Sequence, residues 1–303
     1  MLTVIASVEV VAFFFDLAVT SNFGSAWTLD VVVAISYVAA MRPLLGLGPL
    51  RLATRAACLM SAAAPRPIVM QDRARGGMIT IAPGEGVEHT ATFIGPIHGL
   101  GDTNMGWAQQ AAMIHESLPH IKFVLPNAPS APVTLNGGMV MPSWYDITQL
   151  DDRAGQPCDG IEDSKAVITG LIEEEVAAGV PLSRIVVGGF SQGGAMAIYA
   201  GLQYDGTLAG LCVMSGYLPK EDGFAVTSAA KATPVAHFHG TDDPVVKIEW
   251  ARKTVDIVKA RGVATYEMNE YYPLGHGASM ELFTDVIKWL ERVLPADAKK
   301  DEL

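Results

Sequence analysis

The chain has 303 residues, half of them apolar, and a formal net charge of −11. That is ample apolar sequence for a substantial core, in one large α/β domain or two small ones. The acidic balance excludes a nucleic-acid partner, which needs clustered Lys and Arg, and no basic run is longer than Lys299-Lys300.

Residues 1–69 read as an apolar extension, disordered or helical, with no catalytic role. Glu9, Asp16 and Asp30 are scattered through it, and no positive side chain precedes Arg42. The longest charge-free stretches, Leu17–Leu29 and Val31–Met41, fall short of the roughly 18 apolar residues a membrane span requires. Val31–Leu50 qualifies only if Arg42 is tolerated. A signal peptide would need a positive n-region, and a transit peptide would be poor in acids. A start at Met60, just ahead of the first domain strand, is a further alternative.

From 70 to 295 the chain reads as one α/β domain. Met78–Ala82 and Thr90–Ile97 are predicted strands, with Gly95-Pro96 expected to bend or shorten the second. His98-Gly99-Leu100-Gly101-Asp102 follows, then a helix over 107–117 and a strand over 122–125. Residues 126–160 are rich in Pro and Gly and read as a long irregular loop, a length that points to a lid or binding loop. A helix over 161–178, a strand over 184–187 and a helix over 194–202 come next. Further strands are predicted at 208–214, 235–239 and 265–271, with helices at 249–260 and 278–293. Strands alternating with helices imply a mostly parallel central sheet flanked by helices, with functional residues gathered at the carboxyl ends of the strands.

The most informative stretch is Ile185-Val186-Val187-Gly188-Gly189-Phe190-Ser191-Gln192-Gly193-Gly194. A β-branched run, Gly-x-Ser-x-Gly and then good helix formers make the pattern of a nucleophile elbow, a tight strand-to-helix turn that presents Ser191. The glycines keep the strained turn free of side chains. A serine nucleophile needs a base, and the base needs an acid to hold its tautomer. His276, in Leu274-Gly275-His276-Gly277, is the one histidine beyond the candidate acids. Those acids are Asp242 and Asp243, between which spacing does not choose. His237 and His239 alternate with Phe238 in an apolar strand, and one of them is expected to face the core.

These segments together resemble the acyl-protein thioesterase, lysophospholipase and carboxylesterase family of α/β-hydrolases. The motifs are His98-Gly99-Leu100-Gly101-Asp102-Thr103, Pro126-Asn127-Ala128-Pro129, Met141-Pro142-Ser143-Trp144-Tyr145-Asp146, Gly189-Phe190-Ser191-Gln192-Gly193 and His239-Gly240-x-x-Asp243-Pro244. The resemblance implies Ser191 as nucleophile, Asp243 as acid and His276 as base. An oxyanion hole would use the backbone N–H of Gln192, with Leu100 at the family's second position. It also implies an acyl channel along the 126–150 loop, with Leu135, Met141 and Trp144 at its wall. The competing reading of those three is that they pack beneath the loop.

The substrate so implied is an acylated protein, with lysophospholipid or a small ester as the alternative and transient contact with a membrane surface. A catalytically silent acyl-binding protein is the reading from a different class. No cofactor and no metal are expected, since neither a phosphate loop nor His-Glu-x-x-His is present. Cys58, Cys158 and Cys212 set neither a metal-ligand spacing nor a disulfide framework. So sparse a count fits a reducing compartment, and a cytoplasmic location is favoured. The tail 296–303 ends in Lys300-Asp301-Glu302-Leu303, which matches the ER-retrieval signal and makes the endoplasmic reticulum the alternative. Nothing in the sequence sets the oligomeric state.

Overall fold

The computed structural model describes residues 66–151 and 155–296. Their strands are β1 Ile68–Asp72, β2 Met78–Ala82, β3 Ala91–Ile97, β4 Ile121–Leu125, β5 Ser130–Val133, β6 Met139–Pro142, β7 Ile185–Phe190, β8 Gly210–Met214, β9 Val235–Gly240 and β10 Tyr266–Tyr271. The α-helices are α1 Met105–Ser117, α2 Ile161–Ala177, α3 Gln192–Gln203, α4 Ile248–Ala260 and α5 Met280–Val293. Eight strands form one sheet in the order β1-β2-β4-β3-β7-β8-β9-β10. β4, β3, β7, β8, β9 and β10 run parallel in it, and β1 and β2 add an antiparallel edge.

Period-2 alternation builds two apolar layers. Ile94, Val124, Val187, Val213 and Val235 face α2, α3 and α4. Their neighbours Phe93, Phe123, Val186, Cys212 and Ala236 face α1 and α5. Each helix supplies a matching stripe: α5 buries Leu282, Phe283, Val286, Trp289 and Leu290 at helical spacing. α3 is buried along almost its whole length, which explains why it carries no charged residue. The chain therefore has the α/β-hydrolase fold expected of it.

Gly95-Pro96 neither shortens β3 nor ends it. Ile94 pairs with Val187 and Ile97 with Gly189, so β3 uses one more residue than β7 over the interval. That is a β-bulge, and it absorbs a proline that has no N–H for the ladder. The strand resumes in time to deliver His98 at the sheet's carboxyl end.

Two elements lie outside the sequence-based expectation. β1 crosses the boundary placed at 69/70; all five of its residues are exposed, so no inward–outward alternation marks it. The 126–160 segment is not irregular throughout. It contains the hairpin β5–β6, paired from Ser130 with Pro142 to Val133 with Met139. Short strands with a proline in each of them, Pro132 and Pro142, hide a hairpin from pattern reading. The rest of the N-terminal extension before residue 66 and the tail from 297 lie outside the described residues. No helix of the described residues is long and apolar enough to cross a membrane.

Candidate active site

β7 ends at Phe190 and α3 starts at Gln192, leaving Ser191 alone in the turn with φ 55° and ψ −118°. A non-glycine residue there is strained, and strain of this kind collects at functional positions. Gly193 makes the turn feasible: a Cβ on it would lie 2.0 Å from Ile97 O. The helix start thus rests directly on the end of β3. Ser191 N donates to Met214 O at 2.9 Å, fastening the elbow to β8.

Ser191 Oγ lies 3.0 Å from His276 Nε2. His276 Nδ1 lies 2.7 Å from Asp243 Oδ2, so an imidazole that donates from Nδ1 to the carboxylate accepts from the serine hydroxyl at Nε2. Asp243 Oδ1 takes the N–H groups of Val245 and Val246, each at 2.8 Å. Burial alone would push the Asp243 carboxyl up. Hydrogen bonds from His276 and from the Val246 and Val245 N–H groups outweigh it and hold the group below the usual carboxylate range. Asp242 is exposed and takes only the Thr241 hydroxyl, at 3.0 Å. The geometry therefore distinguishes two aspartates that spacing left equal. His276 is 18% exposed, against 0% for Asp243. Its ring leans on Phe190, centroids 4.8 Å apart.

The His98–Asp102 loop stands beside the elbow. A Cβ on Gly99 would lie 3.3 Å from Ser191 Cβ. Gly101 N and Asp102 N are tied to Pro142 O at 2.8 Å and Gly99 O at 3.3 Å. Gln192, at the first position of α3, belongs to the helical N–H groups that have no partner within the helix.

Sequence reasoning missed what anchors this loop. His98 is fully buried. Its Nδ1–H donates to Gly99 O at 2.8 Å, and its Nε2 accepts from Ala128 N at 3.0 Å. The side chain of Gln192 is a second anchor. Its Oε1 accepts from Trp144 N at 3.0 Å, and its Nε2 donates to Tyr145 O at 2.8 Å. Trp144 Nε1 donates to His98 O at 2.9 Å. Only the placement of His98 and Gln192 inside their motifs hints at such roles.

The three expected channel residues separate. Met141 is partly exposed, and its Sδ would lie 3.6 Å from a Cβ on Gly101. Leu135 is partly buried against the core. Trp144 is 1% exposed and sits within the core cluster. Its expected place on a channel wall is corrected: with both N–H groups bonded inward, it braces the loop from beneath. His237 and His239 are both fully buried, correcting the expectation that one faces the core.

A serine, a histidine and a carboxylate in hydrogen-bonded sequence at the carboxyl end of a parallel sheet define the α/β-hydrolase class. The chain belongs to the phospholipase/carboxylesterase family, whose profile matches residues 80–294. It is 42% identical to acyl-protein thioesterase 1 of Mycosarcoma maydis, over 72% of this chain and 97% of the relative. With acyl-protein thioesterase 1 of Neurospora crassa the identity is 40%, over 71% and 91%. Among solved structures, Zea mays acyl-protein thioesterase 2 superimposes with a TM-score of 0.62 at 30% identity, covering 72% of this chain and 98% of that one.

Proposed function

We propose that the protein hydrolyses acyl thioesters and esters through a covalent acyl-enzyme, with S-acylated protein as its substrate. The observation that carries this reading is the unbroken chain from Ser191 Oγ through His276 to Asp243, at 3.0 and 2.7 Å. His276 Nε2 takes the hydroxyl proton as Ser191 Oγ attacks the acyl carbonyl. Asp243 orients the ring and stabilises the imidazolium. The N–H groups of Gln192 and Leu100 receive the developing oxyanion. Removing one such donor costs about 2.7–4 kcal/mol of barrier. His276 then gives its proton to the departing thiolate or alkoxide. Water, activated by the same imidazole, attacks the acyl-enzyme and releases the free acid.

The acyl chain runs along Leu135 and Met141. What supports this is the partial exposure of Met141 beside the Gly101 turn and the adaptability of a thioether to an alkyl chain. The names of the thioesterase relatives favour acylated protein over lysophospholipid. We place the enzyme in the cytoplasm, with its substrate at a membrane surface. The described thiols, Cys158 and Cys212, are unpaired, as in a reducing compartment.

A fluorophosphonate probe should label Ser191 in the folded protein. Ser191→Ala should abolish labelling and lower kcat on the order of 10⁶-fold. Retained turnover would overturn the assignment. Faster turnover of a lysophospholipid than of an S-palmitoylated peptide would move the substrate to the alternative class.

A further inference from the structure

Two buried histidines have no part in the chemistry above. His237 and His239 lie two residues apart on β9, on one face of the strand, and both are fully buried. Burial pushes His237 well below the usual histidine range, and His239 below it too, so both imidazoles are neutral.

Neutral imidazoles can satisfy their mutual contact and those with Val246 and Tyr266 in one direction only, and the Gly216 carbonyl beside His237 draws on the same single proton of that ring. His239 Nε2 lies 2.7 Å from Val246 O. A carbonyl only accepts, so His239 carries its proton on Nε2. Its Nδ1 is then an acceptor, 3.2 Å from His237 Nε2, which must donate. His237 Nδ1 accepts in turn, and the group 2.9 Å away is the Tyr266 hydroxyl, whose proton burial makes harder to remove. The donors run from Tyr266 through His237 and His239 to Val246 O.

That chain ends at the acid. Val246 receives a hydrogen bond on its carbonyl from His239 and gives its N–H to Asp243 Oδ1. His239 Nε2 also lies 3.5 Å from Asp243 Oδ2, the oxygen that bonds His276. We propose that His239 is a positioning residue for Asp243, with its tautomer set by Tyr266 through His237. The proposal rests on the Ser191–His276–Asp243 reading. It assigns to the His-x-His-Gly strand a task that core packing alone would not require. Two apolar side chains would fill the same volume without fixing the direction of any hydrogen bond.

The test is steady-state thioester hydrolysis by His239→Leu, His239→Gln and Tyr266→Phe, each with and without Asp243→Asn. His239→Leu should lower kcat about tenfold, a loss usual for partners that orient a reacting group, with KM unchanged. His239→Gln, which keeps an N–H able to reach Val246 O, should recover most of that loss. Tyr266→Phe should lower kcat about threefold. In the Asp243→Asn background His239→Leu should cost nothing further, because its effect passes through Asp243. Equal losses in both backgrounds, or an unchanged kcat in His239→Leu, would overturn the proposal. Nitrogen-15 spectra of wild-type imidazoles supply a measurement that needs no variant to fold. Both residues should show neutral rings protonated at Nε2, and a ring protonated at Nδ1 overturns the proposal. Failure of the catalytic reading would look different, since wild-type protein would then turn over no acyl ester at all.

Discussion

Residues 126–160 join β4 to α2 and contain two regions built on opposite plans. The stretch Ser143–Ile147 has no regular secondary structure for most of its length, yet Ser143, Trp144, Tyr145 and Ile147 are all buried. Its polar groups are assigned one by one: Trp144 N to Gln192, Trp144 Nε1 to His98 O, the Tyr145 hydroxyl to that of Tyr217 at 2.7 Å, and Trp144 O to Ser164 Oγ. The hairpin β5–β6 has regular pairing, yet Met139 and Val140 at its tip are 63% and 66% exposed. Regularity and firmness are thus different properties. An irregular strap is as well fixed as a sheet when each of its buried polar groups has a partner. The hairpin leaves the side chains of its tip in solvent and is tied to the strap through its turn, where Asp146 takes Thr134 N and Oγ1 at 2.8 and 2.6 Å and Leu135 N donates to Ile147 O at 2.8 Å.

The hardest blow to the strap is Trp144→Ala. Truncating a buried tryptophan costs about 3–5 kcal/mol, and this one also releases His98 O beside Ser191. Urea unfolding should show that loss, and kcat should fall beyond what the remaining folded fraction explains. A variant with wild-type turnover per folded molecule would mean that the strap does not hold the His98–Asp102 loop. Gln192→Met is a gentler cut. It keeps the backbone N–H assigned to the oxyanion but takes from Trp144 N its Gln192 acceptor and from Tyr145 O one of its donors, the Ser143 hydroxyl remaining. The expected loss is about 1–3 kcal/mol, the usual penalty for buried groups left unsatisfied. A fall in kcat at unchanged KM would show that the side chain steadies what the backbone does.

How much of this was legible depended on whether a residue's role follows from local chemistry. Ser191 was readable because a Gly-x-Ser-x-Gly turn between a β-branched run and helix formers has few other uses. His276 followed from chain order. Asp243 needed a family resemblance, because adjacent aspartates share every local signal. Only in the fold does one of them become buried, with two backbone N–H groups. The sheet's inner parallel strands were legible as buried apolar runs, whereas β1 and β5–β6 were not, being exposed on at least half of their positions. The anchors His98, Trp144 and Gln192 act through partners about 30 to 50 positions away, and nothing in a one-dimensional pattern reports such a meeting.

Acid should test the strap side next. Burial lowers the histidine pKa at His98, His237 and His239. The unfolded chain, with histidines near 6.5, therefore binds more protons than the folded one once the pH drops below that value. Their contribution to stability is complete above about pH 6.5 and is lost as the pH falls toward the folded-state values. The loss amounts to at most about 1.4 kcal/mol per pH unit for each proton taken up. Urea midpoints measured from pH 7.5 to 5.5 should fall steadily, and a flat profile would contradict neutral, buried rings.

The smallest effect belongs to the hairpin tip. Met139 and Val140 keep most of their surface in solvent. The turn between the strands is set by Gly137 and Gly138, with φ 66° and 80°, and not by the side chains that follow. Replacing both Met139 and Val140 by Ser removes little buried area and no hydrogen-bond partner. Stability should change by less than about 0.5 kcal/mol, as for ordinary surface positions, and turnover of a short water-soluble thioester should stay at the wild-type level. A loss above about 1 kcal/mol would show that the tip packs as the strap does, and the contrast between the two regions would fail. An unchanged stability joined to slower turnover of long-chain substrates alone would sharpen it: the strap would serve the reaction and the hairpin the acyl chain.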